Sequence, residues 1–160
     1  MAQKVEFTRE GLNLVAFGES FSNAGQAFKP LKSHHNSKDI RVWFEKDFDY
    51  FYLDSDTLFI ERVGIVNALF IAVDKLDKVA GIFLVIEPPA LAVVESLNIV
   101  YGESTLQSNL SIDNNDLGKK YFWFASQMSI SINRRSGSEL LIVSYSSSSM
   151  EDSKAGINMY

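Results

Sequence analysis

Val63-Gly64-Ile65-Val66-Asn67-Ala68-Leu69-Phe70-Ile71-Ala72-Val73-Asp74, the polar corner Lys75-Leu76-Asp77-Lys78, and Val79-Ala80-Gly81-Ile82-Phe83-Leu84-Val85-Ile86 form the stretch that decides the fold. Both runs are apolar at odd and even positions alike, so neither has an evident solvent face. Such runs read as central strands covered at least partly on both sides. The corner between them, three of whose four residues are charged, reads as a turn. After Glu87-Pro88-Pro89 the periodicity changes. Leu91, Val94, Leu97 or Asn98, and Tyr101 recur at helical spacing. Pro89 suits a first helical position and Gly102 the left-handed residue after a helix end.

Working outward, Lys4 to Phe7 and Leu12 to Phe17 read as short strands. Ser20 is placed as an N-cap for a helix carrying Phe21, Ala24, Phe28 and Leu31, which Pro30 should end. Ile40 to Glu45, Asp47 to Leu53 and Thr57 to Arg62 read as further strands. Tyr121 to Ala125, Met128 to Asn133 and Glu139 to Tyr145 predict an antiparallel meander. Ser129 and Ser131 alternate there with Ile130 and Ile132, which predicts one buried and one wet face. The expected class is therefore α+β. It is a mainly antiparallel, twisted sheet of about six to nine strands with two helices packed on one side. Phe17-Gly18-Glu19-Ser20 recurs as Tyr101-Gly102-Glu103-Ser104, and Val42-Trp43-Phe44 as Phe122-Trp123-Phe124. That echo is compatible with two tandem α/β halves. Residues 1–146 are expected to form one domain, and 147–160, opening on a serine run, a flexible tail.

Composition narrows the function classes. The 160 residues include no cysteine, which removes disulfides and thiolate chemistry. The N-terminal residues lack the apolar run of a secretory signal, and no apolar run is long enough to span a bilayer, so the expected compartment is the cytoplasm and no membrane partner is expected. The net charge of −5 argues against a phosphate-binding nucleic-acid surface. Asp39 to Glu61 holds seven acids and two bases and so contains that whole excess. Charge concentrated in this way is how a recognition patch is written.

Chemistry-bearing constellations are sparse. His34-His35 are the only histidines; neighbours on an extended chain face opposite ways, which does not make a metal site. Asp113-Asn114-Asn115-Asp116 lacks the ligand spacing of a calcium loop. No serine sits in a nucleophile motif. No catalytic residue, metal ligand or cofactor is assigned, and the protein is read as a non-enzyme. The informative segment is Trp43 to Asp56. If it is extended, Phe44, Lys46, Phe48, Tyr50 and Tyr52 share a core-like face. Trp43, Glu45, Asp47, Asp49 and Phe51 share the other, and Asp54 and Asp56 follow in a turn. Acids set between aromatics suit docking onto a basic protein, with aromatic anchors and steering carboxylates.

A small, cysteine-free, acidic α+β pattern with no signal and no catalytic constellation resembles the immunity proteins of bacterial toxin–immunity systems, contact-dependent inhibition among them. The helix stop Tyr101-Gly102-Glu103-Ser104 and the Trp123 strand are similar in arrangement to the β-lactamase inhibitory protein architecture. This likeness of pattern spans residues 12–146 and brings no residue role with it. It implies a binding protein that neutralises a cognate toxin, often a nuclease with a basic cleft. Trp43, Glu45, Asp47, Asp49, Phe51, Asp54 and Asp56 would then form the partner-binding set. Two other classes remain open at this point. One is a small-molecule module with an apolar pocket lined by Phe70, Phe83, Trp123 and Phe124. The other is a divalent-metal hydrolase using the carboxylates between Asp47 and Asp56.

Overall fold

The two apolar runs pair with each other as expected, and the register of that pairing explains why neither looks one-sided. In the computed structural model, which describes residues 2–24, 28–31, 40–43, 47–53, 57–86, 90–102, 106–109, 119–125, 128–134, 141–147 and 156–159, the chain order is as follows. Strands β1 (Ala2–Val5), β2 (Phe7–Thr8) and β3 (Gly11–Leu12) precede the single-turn helix α1 (Phe21–Ala24). Then come β4 (Phe28–Pro30), β5 (Ile40–Trp43), β6 (Phe48–Leu53) and β7 (Thr57–Ile60). The central hairpin is β8 (Gly64–Asp74) and β9 (Val79–Ile86), followed by helix α2 (Ala90–Tyr101). Strands β10 (Leu106–Asn109), β11 (Lys119–Ala125), β12 (Met128–Arg134), β13 (Leu141–Ser147) and β14 (Gly156–Met159) complete the chain.

Among the described residues, ten strands form one sheet along the path β1-β7-β8-β9-β13-β12-β11-β10, with β6 also on β8 and β4 on β6. All its pairs are antiparallel except β1 with β7. Two bulges set the parity of the hairpin. Val66 opposes Ile86 and Ala68 opposes Val85, so Asn67 is an extra residue on β8. Ala72 opposes Gly81 and Val73 opposes Val79, so Ala80 is an extra residue on β9. Each bulge shifts which residues face which way. One face of the sheet collects Val66, Leu69, Ile71 and Val73 with Ile82, Leu84 and Ile86. The other collects Phe70, Ala72, Phe83 and Val85. All eight residues of β9 are buried.

The first face is the larger. It runs through Val143 and Tyr145 on β13 and Ile130 and Ile132 on β12 to Trp123 on β11. Val93, Val94 and Leu97 of α2 close over it. Each such side chain contributes roughly 1.5–3 kcal/mol of burial. The helix end is tied down by the same layer. Gly102 takes φ +83 and donates its N–H to Asn98 O at 2.9 Å. Trp123 Nε1 donates to Asn98 Oδ1 and Gly102 O, both at 3.0 Å. The Tyr101 hydroxyl donates to Thr8 O. On the second face the buried cluster lies around β6, β8 and β9. Beyond β9, Ser144, Ser146, Ser131 and Ser129 on that face are half-exposed, the wet positions that the alternation of β12 predicts.

The expectation of two helices on one side is overturned, because sheet dominates and α+β fits only loosely. Among the described residues, only α2, with 12 residues, is longer than a single turn. The residues predicted to extend the first helix are used otherwise. Phe28, Lys29 and Pro30 pair with Leu53, Tyr52 and Phe51 as β4. Phe21 stacks on Phe51 with centroids 4.1 Å apart and meets Phe28 edge-on at 6.4 Å. Sheet pairing thus overrides a helical spacing already weakened by Gly25. Tandem halves are not formed either. Val42 and Trp43 pair with Ile157 and Gly156 in a separate two-stranded ladder, whereas Trp123 lies in the ten-stranded sheet. That ladder also places Gly156–Met159, within the segment expected to be a loose tail, as a strand on β5.

Gly81 marks a tight point on the second face. A Cβ there would lie 3.0 Å from Phe83 Cε2 and 3.1 Å from its Cζ. Phe83 itself is held between its neighbours and is 4% exposed. Gly81→Ala is therefore expected to lower the unfolding free energy by about 1–3 kcal/mol through overpacking, read from urea denaturation. Tyr145 behaves oppositely. Its hydroxyl is buried and has no hydrogen-bond partner among the described residues, and its pKa is pushed well up, first by burial and then by neighbouring Tyr101. Tyr145→Phe removes an unpaired polar atom and keeps the ring, so its unfolding free energy should stay within about 1 kcal/mol of wild type or rise. A loss of more than about twice that would show that the hydroxyl is bonded.

Candidate functional site

The turn of the central hairpin is built by its own aspartates. Asp74 Oδ1 accepts from the N–H groups of Leu76 and Lys78, each at 2.9 Å. Asp74 N–H donates to Lys78 O at 2.9 Å, and Asp77 N–H to Asp74 O at 3.1 Å. Asp77 adopts φ +61, a left-handed conformation that aspartate tolerates better than most residues. From that position its Oδ2 accepts from Ser20 Oγ and Ser22 Oγ at 2.7 Å and from Ser22 N–H at 3.3 Å. The predicted cap of the first helix is thus inverted. Ser20 donates to Asp77, and the Asp77 carboxylate caps α1 from the far side of the chain. Phe21 N–H to Asp77 O, Gly18 N–H to Val79 O and Val79 N–H to Glu19 O, each at 2.9 Å, bind the turn to the segment before α1.

This fixed turn holds Leu76 outward, 80% exposed. Strand β6 runs beside it. Asp49 opposes Val73 and is exposed. Asp47 is exposed and sits at the turn, its Oδ1 3.3 Å from Lys75 Nζ. An exposed pair of this kind adds about 0–1 kcal/mol, so its main effect is to place Asp47 beside the tip. One end of the sheet therefore presents Leu76 between the exposed Lys75 and Lys78, with the exposed carboxylates of Asp47 and Asp49 on the adjoining strand end, on a backbone that the Asp74 and Asp77 hydrogen bonds hold in place.

The sequence-predicted set is only partly gathered there. Asp47 and Asp49 are at the tip. Phe51, also on β6, packs against the core of the first face and stacks on Phe21 rather than standing outward. Trp43 lies in the β5–β14 ladder. Glu45, Asp54 and Asp56 lie outside the described residues, as do His34, His35 and the 113–116 acids. The inner face of β6 is as expected, since Phe48, Tyr50 and Tyr52 all join the second core cluster. Leu76 was missed. Its signal was present in the sequence as the one apolar residue in the polar corner.

Other chemistry has less to stand on. Among the described residues, no three His, Asp or Glu side chains gather as a metal site. Of the four residues expected to line one apolar pocket, Trp123 belongs to the core of one face and Phe70 and Phe83 to that of the other, while the Phe124 side chain lies outside what is described. No described helix is long and apolar enough to cross a membrane. Compared with protein-family models, with curated proteins and with solved structures, the chain matches none.

The Asp77 latch has a pH signature. Hydrogen bonds from Ser22 and then Ser20 hold its pKa below the ordinary aspartate value. A lowered folded pKa contributes stability that is present above the unfolded value and is lost as pH falls through the folded one. Asp77→Asn should therefore be less stable than wild type near neutrality. The gap in urea midpoint should narrow as pH drops below the ordinary aspartate range. A gap constant with pH would mean that the charge is not what the serines hold.

Proposed function

We propose that this chain is a non-catalytic binding protein of the immunity class, acting in the cytoplasm, which neutralises a basic, nuclease-like toxin by docking the tip of its central hairpin. The observation that carries this reading is Leu76, held exposed at the turn of the buried central hairpin, at the end of the sheet where Asp47 and Asp49 are also exposed. An apolar anchor contributes most when it enters a desolvated pocket. Carboxylates around it steer a basic partner and discriminate against acidic ones. The turn is bonded through Asp74 and Asp77, so little ordering is left to cost free energy on binding.

The test is growth rescue. The reading frames adjoining this gene are expressed one at a time with and without the chain, and the complex of any neutralised product is measured by surface plasmon resonance. One neighbour should be toxic alone and silent with the chain. Leu76→Ser should weaken that complex at least tenfold, mainly through faster dissociation. Asp47→Asn with Asp49→Asn should slow association and flatten its dependence on salt. If no adjoining product is toxic and rescued, or if rescue and affinity ignore all three substitutions, the proposal is wrong.

A further inference from the structure

The turn that carries Leu76 is fastened from outside by one short segment, and that segment is held by hydrogen bonds more than by burial. Leu12 and Val15 are anchored in the first core. From residue 16 to residue 22 every position is half-buried or exposed. Phe17 and Phe21 lie against the core without being buried in it. The segment pairs with 77–79. Gly18 N–H donates to Val79 O, Val79 N–H to Glu19 O and Phe21 N–H to Asp77 O, each at 2.9 Å, and Ser20 bridges Lys78 in antiparallel sense. Asp77 Oδ2 fastens its end, accepting from Ser20 Oγ, Ser22 Oγ and Ser22 N–H. Phe21 adds its stack on Phe51.

We infer that residues 16–22 are a strap that opens and shuts as one unit, with Asp77 as its catch, and that the hairpin tip is ordered only while the strap is shut. Segments with little burial and few bonds occupy the low end of the opening free energies within a fold. The strap's bonds converge on three consecutive hairpin residues, so they are made and broken together. Its hold on the tip runs through the backbone of Asp77. An aspartate at φ +61 persists when its surroundings over-determine it. With the strap shut, three donors hold that carboxylate in place. With the strap open those donors are gone, and the turn from Asp74 to Lys78 relaxes with Leu76 on it. A partner that closes on Leu76 then favours the shut strap, and by reciprocity strap opening weakens docking. That consequence alone rests on the toxin-binding reading; the opening itself belongs to the free chain.

The experiment is native-state hydrogen exchange of the full chain alone, followed by NMR near neutral pH. The amides of Gly18, Phe21 and Val79 should share one protection factor, at least about tenfold below those of Ile71 and Ile82. Val79 is the sharpest probe, because it belongs to β9 yet donates to the strap. Ile132→Val acts in the first core level with Val143 and Leu84, away from the turn. It should lower protection at Ile71 and Ile82 about fivefold and leave the three strap amides unchanged. Ser20→Ala with Ser22→Ala leaves the hairpin's own residues intact. It should cut protection of the strap amides at least about tenfold, and that of the Leu76 and Lys78 amides with them. If the double variant folds poorly, Ser22→Ala alone gives the same readout in the same direction. Strap amides that fall with Ile71 and Ile82 in Ile132→Val open only by global unfolding, which overturns the strap. Unrelated rates at Gly18, Phe21 and Val79 overturn the single unit. Leu76 and Lys78 amides unmoved by the serine substitutions overturn the coupling to the tip.

Discussion

Everything else in this fold follows from burying β8 and β9 on both faces at once. The cross-strand pairs Leu69 with Leu84 and Ile71 with Ile82 serve one face, while Phe70 with Phe83 serves the other. A two-stranded ribbon in water leaves both faces wet, so each needs a separate cover. Helix α2 and the β11–β13 meander supply one, and the aromatic side of β6 contributes to the other. The two bulges reconcile the faces. Were β8 regularly paired through Asn67, Val66 would turn to the face opposite Leu69, and its burial beside Ile86 would be lost.

This constraint also explains what was legible in the sequence. The central hairpin, α2 with its Gly102 stop, the Ser/Ile alternation of β12 and the inner aromatics of β6 were readable because each obeys a local period. The first helix was not. Phe21, Ala24, Phe28 and Leu31 have helical spacing, yet Phe28 is drawn into a strand by Leu53 and Phe21 by the ring of Phe51. The same contact removes Phe51 from the outer face where alternation had left it. Pairing of Trp43 with Gly156 joins distant parts of the chain, and no local rule reports it. The candidate site was half legible. Charge counting found Asp47 and Asp49, but exposure of Leu76 depends on a turn geometry set by Ser20 and Ser22 across the fold.

The place of the hairpin tip follows from the same burial. A strand buried on both faces has few places left for recognition. Leu76 and its neighbours lie beyond the last ladder pair, where side chains are released from packing.

Rigidity is what makes such a tip useful for recognition. Carboxylate oxygens of Asp74 and Asp77 accept from backbone and serine donors, so the loop that carries Leu76 is fixed by bonds rather than by burial. An exposed side chain on a loop that is already ordered loses little freedom when it is covered, so what it buries on docking is offset by a smaller entropic cost.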